Sequence, residues 1–217
     1  MCGRFVRKRA SADYASYFKV PMPELPPSYN VAPSQPVLAI RGHHGQPQGA
    51  VLRWGLIPFW SKDGTGFINA RAETVAKKPA FRDAFRRHRC LVVGDGYFEW
   101  RAEAGGKQPY YFRPRNDEPI GFAGLWDRWH HQDEVIESCA VIVTEANELS
   151  RPIHDRMPVI LSRETCEVWL DHAIEDADKL KGLLKPYPAD EMLCSSVSRA
   201  VNSPKNDNPE LIVAVSA

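Results

Sequence analysis

From residue 36 onward the chain is a succession of short apolar runs closed off by glycine, proline or Asn-Asp turns, a pattern that only a strand-rich fold accommodates. PVLAI (36–40) and AVLRW (50–54) predict strands, and WGLIPFW (54–60) an aromatic turn. CLVVGDGYFEW (90–100) predicts strand, Gly-Asp-Gly turn, strand. PYYFRP (109–114) and IGFAGLW (120–126) flank Asn116-Asp117 and predict a hairpin. Further strands are expected at 135–144, 192–198 and 211–215. Helices are fewer. SADYASYFK (11–19) predicts one capped by Ser11, and the others fall at 79–88 from Pro79, at 163–170 and at 176–184. Pro21, Pro23, Pro26 and Pro27 carry the first helix over to Tyr29–Pro33. The expected fold is α+β, one domain over 1–217: a strand-rich, curled or barrel-like mixed sheet with peripheral helices.

Hydrophobic residues make up 43% of the chain, enough for a core, and the net charge of +1 excludes a uniformly basic coat. Local basic runs remain, at Arg7, Lys8 and Arg9 and at Arg82, Arg86, Arg87 and Arg89; their plain reading is a solvated face. The five cysteines are scattered and form no C-x-x-C, which argues against a disulfide scaffold or a zinc ribbon. Cys90, Cys139 and Cys194 sit in apolar runs and read as small buried hydrophobes. His43, His44, His130 and His131 read as surface loop pairs, so neither metal nor cofactor is expected. The N-terminus lacks an apolar signal region and no run of eighteen apolar residues exists, so the expected compartment is reducing and cytoplasmic, with nucleoid association if the source is bacterial.

Cysteine stands at position 2. With Met1 removed, Cys2 carries an α-amine and a thiol on adjacent carbons. An aldehyde condenses with the amine to an imine, and the thiol closes on it as a five-membered thiazolidine. The α-amine titrates near about 7.7–8.0, so a useful fraction is nucleophilic at neutral pH. Alone, Cys2 is a weak signal and reads as a bland free thiol. Its neighbours Gly3, Arg4 and Phe5 supply a flexible bend, a permanent cation and a core anchor. Three more polar residues stand in strand-like or tight segments. Glu99, between Phe98 and Trp100, shares a strand face with Tyr97 and Arg101, and aromatic crowding should raise its pKa toward that of a general acid–base. A surface glutamate at a strand end is the competing reading. Asn69 is either a turn residue or a double hydrogen-bonder in a site. His154, before Asp155-Arg156, is either structural or catalytic.

MCGRF, YNVAPSQPV, WGLIPFW, INARAET, GDGYFEW, IHDRMPVIL and VSRAVNSPKNDNPELI together resemble the SRAP family, the SOS response-associated peptidases or abasic-site processing proteins, in the family's order and over nearly the whole chain. The resemblance implies that Cys2 forms a thiazolidine with the ring-opened C1 aldehyde of an abasic deoxyribose. It implies that Asn69 orients the adduct, that Glu99 shuttles protons and that His154 assists at the sugar hydroxyl or imine. Arg4, Arg71 and Arg156 would hold flanking phosphates, and Trp60, Trp100 and Pro33 would stack on or wedge against bases. The implied partner is single-stranded DNA, or a single-strand/duplex junction, carrying an abasic site in the DNA damage response; the implied assembly is a monomer without cofactor. Lyase activity is latent in the imine. Two other readings stay open: an N-terminal-nucleophile cysteine peptidase with His154 as base, whose Met1 removal is autocatalytic in principle, and a non-catalytic single-strand-binding module. No phosphate loop or dinucleotide fingerprint supports a metabolic enzyme.

Overall fold

The apolar runs become strands, and the order in which they pair fixes where the N-terminus lies. The computed structural model describes residues 2–43 and 46–215. His44 and the predicted removal of Met1 concern positions outside them, and the His43 side chain is likewise undescribed. In chain order the elements are β1 (Phe5–Arg7), α1 (Ser11–Phe18), β2 (Ser28–Val31), β3 (Pro36–His43), β4 (Gln46–Trp54), β5 (Asn69–Arg71), α2 (Arg82–Arg87), β6 (Arg89–Gly94), β7 (Gly96–Glu103), β8 (Gly106–Pro114), β9 (Ile120–His131), β10 (Glu134–Glu145), β11 (Arg156–Pro158), β12 (Ile160–Leu161), α3 (Arg163–Leu170), α4 (Ala177–Gly182) and β13 (Met192–Ser196).

Five strands close on themselves. β3 pairs with β4 and β6, β6 with β9, β9 with β10, and a short parallel contact of β10 with β4 completes the ring. β5 and β11 lie against β10, and β12 against β9. A second sheet runs in the order β13-β8-β7-β1-β2. This is the barrel-like α+β architecture expected from the sequence, with the four α-helices peripheral.

One buried cluster joins the two sheets: Phe5, Tyr97 and Phe112 from the second pack with Trp54, Val92 and Phe122 of the barrel. Phe5 meets Trp54 and Phe122 edge-on, at 5.1 and 5.7 Å between ring centroids. Burying such a ring contributes roughly 1.5–3 kcal/mol, enough to hold a segment that would otherwise fray. The chain changes sheets at Gly94-Asp95-Gly96, where a Cβ on Gly96 would lie 2.4 Å from the Phe112 carbonyl oxygen. Asp95 is buried at this crossover and accepts from the Lys8 N–H at 2.6 Å, from the Tyr14 hydroxyl and from Arg9.

Several local expectations are corrected. Residues 109–114 and 120–126 are not a hairpin, because β8 pairs with β7 and β13 while β9 belongs to the barrel. Asp117 between them takes φ 57° and binds Lys8 and Arg9, so the turn is a crossover pinned to the end of β1. Ser11 is not the cap of α1. Ala10 holds that position, Asp13 accepts from its N–H at 3.2 Å, and the Ser11 hydroxyl accepts from Leu25 N–H. Residues 211–215 form no strand: Pro209–Ile212 is a 3₁₀ turn, followed by an isolated bridge at Ala214. His130 and His131 end β9 rather than lying in a loop, though both are exposed.

The basic runs are also not simple solvated faces. Arg89 is fully buried and donates to the carbonyls of Phe85, Trp169 and Asp171. Arg7 is buried too, bonded to the Leu25 carbonyl at 3.0 Å. Cys90 and Cys139 are buried as expected, and Cys194 half-buried. No described helix is long and apolar enough to cross a membrane, and no group of described residues could hold a metal ion.

Candidate functional site

The site begins with the pairing of β1 and β7. Phe5 lies opposite Tyr97 and Val6 opposite Gly96, and the Phe98 N–H donates to the Arg4 carbonyl at 3.0 Å. That register lays the residues preceding Phe5 along the part of β7 that carries Glu99. Alternation along β7 sends Phe98 to the outer cluster with Tyr111 and Leu211, and Tyr97 inward to the cluster that contains Cys2. Cys2 is 1% exposed and Glu99 3%.

Burial sets the protonation of both. It raises the Cys2 thiol far above its ordinary range, and the nearby Glu99 carboxylate adds to the shift. Burial, with a contribution from the Asp155 charge, pushes Glu99 itself up to about 7 against the opposing pull of the N-terminal ammonium. The direction is the one its aromatic neighbours predict. A carboxyl titrating near neutrality can take and return a proton in one cycle.

His154 lies in the segment after β10, whose Ile153 packs against the cluster that contains Cys2 and whose Asp155 acts on Glu99. Its Nδ1 accepts the Arg156 N–H at 3.0 Å, which places the proton of the neutral ring on Nε2. Burial lowers its pKa and Asp155, 3.1 Å from Nδ1, opposes that shift. Asn69 opens β5, with its Cα opposite Val141 of β10. Its Nδ2 reaches the Val141 carbonyl only at 3.5 Å, and its buried Oδ1 has no hydrogen-bond partner among the described residues. A buried amide oxygen left unmatched costs free energy and marks a place where a ligand donor fits.

The arginines differ in setting. Arg71 is exposed on β5 and Arg156 half-buried on β11, the two strands that flank β10. Glu73 contacts Arg156 and is held below its usual range despite partial burial, by its own backbone N–H and by both arginines. Arg4 is engaged within the protein: Nη1 donates to Asn30 Oδ1 at 2.8 Å and to the Val201 carbonyl at 3.0 Å.

Of the aromatics, Trp60 is 50% exposed beside exposed Phe59. Trp100 turns away from Glu99 and donates from Nε1 to Asn202 Oδ1 at 2.7 Å. Pro33 is half-buried in the turn between β2 and β3, next to Ser34 at φ 71°. The structure thus draws Cys2, Glu99 and the 153–156 segment together, brings Asn69, Arg71 and Arg156 in beside β10, and leaves Trp60 and Pro33 on separate segments and Trp100 on the other face of β7 from Glu99. Sequence reasoning did not single out Asp155 and Glu73, although each lies within a motif that it quoted.

A family model described as SOS response associated peptidase (SRAP) matches residues 1–204. The abasic site processing protein YoaM of Bacillus subtilis is 44% identical, over 99% of this chain and 98% of its own length. YedK of Escherichia coli, likewise named an abasic site processing protein, is 30% identical over 99% of this chain and all of its own. HMCES of Gallus gallus, of the same name, is 33% identical over 87% of this chain and 66% of its own. A crystal structure of a protein from Bacteroides thetaiotaomicron superposes with a TM-score of 0.90 at 29% identity, covering 99% of this chain and all of that one.

Proposed function

The chain belongs to the SOS response associated peptidase (SRAP) family, and from that premise we propose that it processes abasic sites in DNA by forming a covalent thiazolidine through Cys2 once Met1 is removed. The observation that carries this reading is the placement of Cys2, buried beside a Glu99 carboxyl that titrates near neutrality.

The ring-opened C1 aldehyde takes the Cys2 α-amine, and the carbinolamine loses water to an imine. The thiol then adds across that C=N bond: sulfur bonds to C1 and its proton passes to nitrogen. One water leaves overall. The burial of Cys2 suits this order, because a thiol held protonated is a poor nucleophile until a base takes its proton, and Glu99 takes it once the imine stands beside the sulfur and returns it to the nitrogen. Glu99 accepts and returns the protons of ring opening and closure. His154 donates from Nε2 to the sugar hydroxyl, and Asn69 Oδ1 accepts from the adduct. Arg71 and Arg156 hold flanking phosphates, and Arg4 adds the donors that its internal bonds leave over. Trp60, Trp100 and Pro33 contact neighbouring bases. Trapping the imine removes the electron sink through which β-elimination would cut the strand, so the thiol turns a latent lyase into a shield.

Single strands and junctions are the preferred partners, since a residue without a base has little stacking to lose. We read residues 1–217 as one domain, acting as a monomer without cofactor in the cytoplasm, or at the nucleoid if bacterial. The test is a denaturing gel of Met1-trimmed protein with an abasic single-stranded oligonucleotide, an intact control and Cys2→Ala. A heat-stable shifted band that needs both lesion and Cys2 is expected. Turnover of peptides without a band would favour the peptidase reading; equal affinity for intact and abasic strands without a band would favour the binding module.

A further inference from the structure

Tyr97 lies two residues before Glu99 on the same face of β7 and is fully buried. Its ring stacks on Phe112 at 4.9 Å and 8°, which fixes where its hydroxyl reaches. That hydroxyl lies 3.1 Å from Oγ of Ser150, which is also fully buried. Ser150 belongs to the segment that carries His154. Its carbonyl accepts the N–H groups of Ile153 and His154, both at 2.9 Å. Its own N–H donates to Asn147 Oδ1 at 2.9 Å, and Asn147 Nδ2 donates to the Tyr187 carbonyl at 2.7 Å. The segment is closed by the Ala146 N–H on the Asp155 carbonyl at 3.0 Å. One hydroxyl pair therefore joins the strand of Glu99 to the segment of His154 and Asp155.

We propose that the Tyr97–Ser150 pair is a positioning device that sets the separation between Glu99 and the His154 segment. The proposal rests on the thiazolidine reading above. Apolar packing alone would hold strand and segment together, but it tolerates sliding. A hydrogen bond between two buried hydroxyls is directional and admits one arrangement. Proton transfer needs that precision, since a misplacement of about 1 Å costs up to roughly a hundredfold in rate. The groups acting on Glu99 include the chain's N-terminal ammonium, which lowers its pKa, and, among the described residues, the Cys2 thiol, the Tyr97 phenol and the Asp155 carboxylate, with His154 beside Asp155 and Tyr110 opposite on β8. Loosening the segment admits water and moves Asp155 away. Both changes lower the Glu99 pKa.

The test is single-turnover adduct formation on an abasic single-stranded oligonucleotide across pH, for the unmodified protein, Tyr97→Phe, Ser150→Ala and the double variant. Neither substitution adds volume, and Tyr97→Phe keeps the stacked ring. About tenfold slowing is expected for each single variant, with the limb due to Glu99 moved to lower pH. The double variant should be no slower than the slower single one, because both remove the same link. Unchanged rates and profiles, or a double variant slowed by the product of the two single effects, would overturn the proposal. Titration of the Glu99 carboxyl carbon by NMR in the DNA-free protein judges the pair separately. Its midpoint should fall in both variants, and an unmoved midpoint also overturns the proposal. A protein that makes no adduct before any substitution would sink the functional reading while leaving that titration decisive for the pair.

Discussion

The Glu99 carboxylate lies close enough to the Cys2 sulfur to help hold the thiol protonated, and both groups are buried. The thiol is therefore not a charged nucleophile waiting for substrate. On the chemistry proposed above, that favours the α-amine as first attacker and leaves the thiol for the imine.

Glu99 couples stability to pH with a definite sign. Its pKa is raised from 4.5 to about 7 on folding, so the folded state binds the extra proton between those values. The favourable contribution is complete below about pH 4.5 and is lost as pH rises through 7, on the order of 3 kcal/mol in all. Glu99→Gln keeps the side chain neutral at every pH. Its melting temperature should exceed that of the unmodified protein at pH 8 and match it near pH 4, while adduct formation slows. Equal melting curves at pH 8 would remove the burial argument.

The proposed phosphate contacts are separable by salt. Arg71→Ala and Arg156→Ala should each lower the slope of log affinity against log salt by about 0.7 on single-stranded DNA. Arg4→Ala should lower the slope by less and should also lower the melting temperature, because its guanidinium ties the Cys2 segment to Asn30 and the Val201 carbonyl. Salt-titrated anisotropy and thermal melting separate the two outcomes.

Asp95 holds the sheet crossover together through Lys8, Arg9 and Tyr14. Replacing it by alanine leaves buried donors unmatched and should cost about 3 kcal/mol or more in urea unfolding. Tyr14→Phe removes one of those donors and should cost about 1 kcal/mol.

Trp60 is half exposed, so Trp60→Ala should leave the melting temperature within a degree or two while weakening single-strand binding by about 1–3 kcal/mol. Trp100→Ala should differ, because its indole is already bonded to Asn202. Fluorescence-quenching titrations on both variants check this contrast.

Cys2 could be singled out from the sequence because the proposed N-terminal chemistry depends on one position alone. Glu99 was legible because period-two alternation puts it on the face of Tyr97, and its raised pKa follows from that face. The barrel-like class was legible from the punctuated apolar runs. Pairing between distant strands was not. The Asn116-Asp117 turn reads locally as a hairpin, yet its strands separate into different sheets, because β8 already has β7 across the Glu103–Gly106 turn and Lys8 and Arg9 pin Asp117. The roles of buried charges were hidden for the same reason. Arg89 and Arg7 read as surface cations until the fold supplied carbonyls from remote segments. Arg4 likewise finds Asn30, 26 residues away, and Val201, 197 residues away.

The measurement closest to the central claim is the intact mass of the adduct with an abasic oligonucleotide, followed by peptide mapping and borohydride treatment. The account predicts the summed mass of Met1-trimmed protein and oligonucleotide less one water, attachment at Cys2, and resistance to borohydride. Attachment at a lysine, retention of Met1, or an adduct that borohydride reduces would contradict it.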